Sequence, residues 1–192
     1  MSQACTSSMD DLQVILTYLD TQADPCFTLI YNRYSSKVYA KCISLLKDEG
    51  LARDATQEIF TKIFLNLARF GQRSRFSTWV YSITYNYCID FLQKRQKQQA
   101  LFSEELDNPP DLADDEISDK VLLEMEVKTL KNVLNEIPAG DKAVLLMKYQ
   151  DDMSIKEIAS VLDKSESAVK MKIKRAKAKA QDVKKTMATT AI

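Results

Sequence analysis

Histidine is absent from the 192-residue chain, and with it the side chain that most often serves as a general base or zinc ligand. Glycine (3) and proline (4) are scarce, which leaves too little turn-forming material for a sheet-rich fold. The four cysteines, Cys5, Cys26, Cys42 and Cys88, show no CxxC spacing. No zinc site or disulfide framework is expected from them, and they read as free thiols in a reducing cytoplasm. No apolar run approaches the ~18–20 residues of a membrane span. The opening MSQACTSSMDD lacks the basic-then-apolar order of a secretion signal. A soluble, cytoplasmic protein without direct membrane insertion is expected. An enzyme is the class least supported: there is no histidine, no phosphate-cradling glycine loop and no metal cluster, so no catalytic residue, cofactor or metal site is assigned.

Net charge is also missing, with 27 basic and 27 acidic residues, but the charges are segregated. Residues 96–126 hold ten acidic side chains against two basic ones, and residues 167–185 hold eight basic against one acidic, Asp182. A neutral average therefore covers an acidic middle and a basic end.

What is present is helical periodicity. The apolar fraction of 45% is enough for packed cores. The stretch 154–179 reads as two short helices joined by a tight turn. Ile155, Ile158, Ala159 and Leu162 share one face of the first, and Val169, Ile173, Ala176 and Ala180 share one face of the second. Asp163, Lys164 and Ser165 fill the turn, with Ser165 suited to cap the second helix through its hydroxyl. Lys170, Lys172, Lys174, Arg175, Lys177 and Lys179 lie beside and opposite the apolar stripe. That is the layout of a helix-turn-helix whose second helix enters a DNA major groove.

Upstream, residues 10–20 form an opening helix, and Asp24-Pro25 starts another with Asp24 as cap and proline at the first helical position. Gly50 interrupts the pattern. A third helix covers residues 51–70 with Ile59, Phe60, Ile63, Phe64 and Leu67 on its apolar face. After a break at Gly71-Gln72-Arg73-Ser74, a fourth runs to residue 97. Asp119 opens a further helix, and Pro138 starts the segment that carries the apolar run 143–147 before Asp151-Asp152. From Thr186 the tail reads as frayed. The fold expected is all-α, two small helical domains joined by an acidic linker: residues 1–97, linker 98–118, and residues 119–192 containing the helix-turn-helix.

Three blocks then make the chain resemble a bacterial RNA polymerase sigma factor of the extracytoplasmic-function (ECF) class. Asp54-Ala55-Thr56-Gln57-Glu58-Ile59-Phe60 is similar to the family's D-x-x-Q-E-x-F. Phe70-Gly71-Gln72-Arg73-Ser74-Arg75-Phe76-Ser77-Thr78-Trp79 is similar to F-x-G-x-S-x-F-x-T-W. Ile137-Pro138 followed by the helix-turn-helix is similar to the family's third module. The order and separations of all three carry the resemblance, which covers about residues 25–181. The sequence departs from the family at Gly71, one place before the usual glycine, and at Arg73, where an acidic residue is common. Ser82 and Tyr85 replace arginines, and Asp163 replaces a turn glycine.

The resemblance implies that Asp54, Gln57, Glu58 and Phe60 bind core RNA polymerase. Without it, Gln57 and Glu58 read as a solvated face and Asp54 as a helix-terminal charge. It implies that Phe70, Arg73, Ser74, Arg75, Phe76, Trp79 and Asn86 hold the melted −10 element. Aromatic faces can stack an unstacked base, arginines can hold phosphates, and an amide can read a base edge. Phe76 and Trp79 fit core positions equally well. It implies that Ser165, Glu166, Lys170, Met171, Lys174 and Arg175 face the −35 duplex, where glutamate can accept from cytosine and lysine can donate to guanine. Lys172, Lys177 and Lys179 fit phosphate contacts or solvated charges. The acidic linker reads either as a disordered spacer or as a mimic of RNA in the polymerase exit path. A membrane-anchored anti-sigma factor is a further implied partner. The rival readings are a helix-turn-helix regulator that acts without polymerase and a helical adaptor for protein partners.

Overall fold

The computed structural model describes residues 5–100 and 127–190. They are helical throughout, with no strand among the described residues. Residues 98–100, expected in the linker, continue the fourth helix instead; the rest of the acidic linker and the helix start at Asp119 lie outside the described residues. The chain groups into two compact units, Met1–Cys88 and Ile89–Ile192.

In the first unit, α1 (Asp11–Thr21) opens on a capping box. Gln13 N–H donates to Asp10 Oδ1 at 2.8 Å and Asp10 N–H donates to Gln13 Oε1 at 3.0 Å, so two otherwise orphaned donors are satisfied reciprocally. The next helix, α2, is Asp24–Leu46. Its cap is Ala23, one residue earlier than expected, and Asp24 joins Pro25 inside the first turn. Gly50 is not the break. Lys47 takes the left-handed conformation (φ 57°) that ends α2, and Asp48 caps α3 (Glu49–Asn66) by accepting from Leu51 N–H. A single 3-10 turn, Leu67–Arg69, leads to the loop before α4 (Phe76–Ala100).

Helix α2 packs against both α1 and α3. Ile15, Ile30, Val38, Ile59, Ile63, Leu67 and Val80 are fully enclosed, each contributing roughly 1.5–3 kcal/mol through removal of apolar surface from water. Cys42 and Cys88 are free thiols in this core. The Cys88 thiol donates to Cys42 Sγ at 3.8 Å, which pulls Cys42 below its ordinary pKa and, with burial, pushes Cys88 up. Cys5 and Cys26 are instead joined in a disulfide, a correction to the reading of four free thiols. Their separation of 21 residues has no local signature. The pair meets because the turn before α1 folds back onto the start of α2. Arg33 fastens the same segment, donating to Asp11 Oδ1 at 2.7 Å and to Ser7 O at 3.1 Å. Asp11 also accepts from the Tyr34 hydroxyl. Burial, then this bond, raises the Tyr34 pKa far above its ordinary value, so the phenol remains a donor.

In the second unit, α5 (Val127–Glu136) is followed by α6 (Ala139–Leu145), which widens into a π-helical turn, Leu146–Gln150. Ala143, Val144, Leu145 and Met147 of the expected run are buried, and Leu146 is half-buried. Helix α7 (Ile155–Leu162) has a full capping box between Ser154 and Glu157. Asp163 ends it at φ 50°, and Lys164 N–H returns to Ala159 O at 3.0 Å. Helix α8 (Glu166–Thr190) follows at once. Ser165 caps it, accepting from Ala168 N–H at 3.2 Å. Val169, Ile173, Ala176 and Ala180 are buried, and α8 packs against α5, α6 and α7. The helix does not stop at Thr186, whose hydroxyl bonds back to Asp182 O at 3.0 Å. The helix runs on to Thr190.

Candidate polymerase and nucleic-acid interfaces

Asp54, Gln57 and Glu58 fall three and four residues apart on α3, and all three are exposed. Leu65, at 70% exposure, extends the same ridge two turns on. Phe60 behaves differently. At 4% exposure it is buried, its ring 4.6 Å from that of Tyr31, so it supports the polar face from beneath. The negative field of the face reaches α4: the Tyr87 hydroxyl has its pKa raised by burial first and by Glu58 next.

The loop between Phe70 and Phe76 carries an interlocked aromatic group. Phe70 meets Phe76 edge-on at 5.2 Å and Trp79 at 5.5 Å, and Phe76 stacks on Trp79 at 5.6 Å. Phe76 is 5% exposed and also meets Tyr34 edge-on at 5.4 Å. It belongs to the core. Phe70, Ser74 and Trp79 are half-buried, while Arg73, Arg75 and Asn86 are exposed. Ser74 spends its hydroxyl locally, donating to Arg75 O at 3.3 Å. Trp79 and Asn86 lie seven residues apart, on one face of α4 about 10 Å apart along its axis. A cleft of about 430 Å³ opens between the loop and the start of α1, with Phe70, Phe76 and Arg75 on one side and Asp10 and Leu12 on the other. The cleft is therefore aromatic and concave, with Arg75 facing the carboxylates of Asp10 and Asp11.

Gly71 is not left-handed. The positive φ of the loop, 54°, falls on Gln72. That is the position where the sigma pattern carries glycine. Tyr85, in place of an arginine, is fully buried. The Lys41 ammonium of α2, itself buried, lies 4.3 Å from the Tyr81 ring centre and 5.5 Å from that of Tyr85. Lys41 is missed by reading α4 alone, since it is one cation on an otherwise unremarked turn of α2.

On α8, Glu166, Lys170, Met171 and Arg175 are exposed and Lys174 is half-buried, on the side away from the apolar stripe. Ser165 acts first as the cap. Lys172 and Lys179 both donate to Asp141 of α6, a partner with no signal in the sequence, while their side chains stay partly exposed. Among the described residues no group of three or more His, Cys, Asp or Glu is placed to hold a metal ion, and no helix is long and apolar enough to cross a membrane.

A unit with an aromatic, arginine-flanked loop and a second unit with a basic helix-turn-helix define a promoter-recognition factor. Residues 30–98 match the family model for sigma-70 region 2, and residues 128–179 match that for sigma-70, region 4. The chain belongs to the sigma-70 family of RNA polymerase sigma factors and is of the ECF class. It is 28% identical to the ECF RNA polymerase sigma factor SigW of Bacillus subtilis over 156 residues, 78% of this chain and 83% of that one. It is 24% identical to the ECF RNA polymerase sigma-E factor of Escherichia coli over 172 residues, 86% and 90% of the two chains. Two solved structures share the fold with a TM-score of 0.59 and 19% identity. One is the sigma factor RpoE of Bartonella quintana in complex with the anti-sigma factor NepR, matched over 83% of this chain and 96% of that chain. The other is CnrH in complex with the cytosolic domain of CnrY, over 91% and 97%. The protein directs transcription initiation as a sigma factor, binding core RNA polymerase and promoter DNA. A helix-turn-helix regulator acting without polymerase is not favoured, because both sigma regions are present. Sigma factors as a family are not enzymes.

Proposed function

We propose the following division of labour. The first domain, residues 1–97, docks on core polymerase through Asp54, Gln57 and Glu58, with Phe60 as their support. Its loop and α4 hold the melted −10 strand, bases against the exposed edges of Phe70 and Trp79, phosphates on Arg73 and Arg75, and a base edge at Asn86. Ser74 and Phe76 set the loop's shape. The second domain, residues 119–192, reads the −35 duplex with Glu166, Lys170, Met171, Lys174 and Arg175, while Ser165 fixes the start of α8. Residues 98–118 connect the two. The chain performs no chemistry of its own, carries no cofactor and works in the bacterial cytoplasm under an anti-sigma factor.

The observation that supports this most is the contrast between the two DNA-facing surfaces. One is aromatic and concave, fit for single strands; the other is a charged helix flank, fit for a groove. Run-off transcription with core polymerase and a promoter library tests the reading. A specific transcript is expected from promoters with a defined −35 and −10 pair, and Trp79→Ala should lower open-complex formation more than closed-complex binding. Failure to co-purify with core, or no transcript from any promoter, would overturn it.

A further inference from the structure

Lys172 and Lys179 lie seven residues apart on α8, two helical turns on one face. Both end on one carboxylate. Lys172 Nζ donates to Asp141 Oδ1 at 3.2 Å and Lys179 Nζ donates to Asp141 Oδ2 at 2.7 Å. The Asp141 side chain is 9% exposed, against 40% and 36% for the lysines, so the cations reach inward from the DNA-facing helix. Asp141 sits in the first turn of α6, where peptide N–H groups present partial positive charge. A Cβ added at Gly140 would lie 3.6 Å from Lys172 Nζ, so this ammonium rests directly on that turn. A cation beside the positive end of a helix is repelled unless an anion intervenes. Asp141 is that anion, and without it both lysines are driven outward.

We infer that Asp141 is a positioning residue for promoter recognition: it withholds Lys172 and Lys179 from the DNA backbone and fixes the rotation of α8 about its axis. The inference rests on the reading of α8 as the duplex-binding helix. Phosphate contacts bind any sequence, whereas base contacts discriminate. Two lysines held inward therefore lower sequence-independent affinity and leave discrimination to the residues at the front of α8.

The test is a salt titration of binding by the full chain to duplexes with and without a −35 element. Asp141→Asn should bind non-specific duplex more tightly at low salt. It should also lose about 12-fold more affinity than the unsubstituted protein between 50 and 200 mM salt, as two added phosphate contacts require. Its preference for the −35 duplex should fall. Asp141→Glu should restore the original slope, and in a Lys172→Gln/Lys179→Gln background Asp141→Asn should leave the slope unchanged. An unaltered slope in a folded Asp141→Asn protein overturns the inference, as does a slope change that persists without the two lysines. If Asp141→Asn does not fold, the double lysine variant alone decides. A slope equal to the original supports masking, and a slope shallower by about two contacts overturns it. Failure of the unsubstituted protein to prefer the −35 duplex would sink the reading of α8 instead, and the slope on non-specific DNA would still be measurable.

Discussion

Gln72 shows how much one backbone angle can demand. Its φ of 54° costs a side-chain-bearing residue roughly 1–2 kcal/mol. Glycine there would avoid that penalty while adding roughly 0.4–1 kcal/mol of unfolded-state entropy to be lost on folding. Gln72→Gly should thus raise stability by about 0.5–1 kcal/mol, read as a small upward shift in the denaturant midpoint. No gain, or a loss, would mean the Gln72 side chain contributes something of its own. Phe76 makes the opposite case. Placed at 5% exposure among Tyr34, Phe70 and Trp79, it should cost about 3–5 kcal/mol on truncation to alanine. A DNA-binding defect in Phe76→Ala would therefore follow from unfolding, and equilibrium denaturation separates the two. The sequence left Phe76 open between core and DNA because its spacing fits both. Only its neighbours decide, and two of them, Tyr34 and Phe70, come from other segments.

At the scale of helices, the elements legible in advance were those with local causes. The serine cap of α8 uses a donor and an acceptor three residues apart, and the apolar stripe of α8 packs inward as expected, whereas Phe64 of the α3 stripe is 46% exposed. Boundaries failed where the cause was less familiar. Lys47 ends α2 in a conformation usually given to glycine, so the stop falls three residues before Gly50. The Cys5–Cys26 bridge and the Asp141 pairs were illegible for another reason: each joins residues far apart in sequence, and nothing in either partner's neighbourhood names the other. Their strength is measurable. Cys5→Ser opens a closure spanning 21 residues, and a loss of about 3 kcal/mol is expected from loop entropy. The readout is a lower Tm in oxidised samples and no difference from the unsubstituted protein under reductant. Equal Tm values in both conditions would mean that Arg33 alone holds the segment.

At the scale of the whole molecule, the polymerase face is the surface whose reading most needs a partner. Glu58 is exposed on α3 and takes no part in the aromatic core, so Glu58→Lys should leave folding within about 0.5 kcal/mol. Charge-assisted hydrogen bonds contribute roughly 1.5–3 kcal/mol, so core-polymerase affinity should fall about 10- to 100-fold. Competition against a second sigma factor would measure it, and undiminished affinity would move the docking face elsewhere. Fold class and family were legible because three motifs in fixed order survive changes at single positions such as Gly71, Ser82 and Tyr85. The left-handed Gln72 and the Lys41 ammonium over two tyrosine rings appear only once the chain is folded.

The carboxylate shared by Lys172 and Lys179 has a kinetic side. A chromosome presents on the order of a million or more competing sites for each true one, and a protein lingers at them in proportion to its grip on phosphate. Two cations held inward shorten every one of those stops. The factor then spends less of its time parked on irrelevant DNA and more of it available to an unoccupied polymerase.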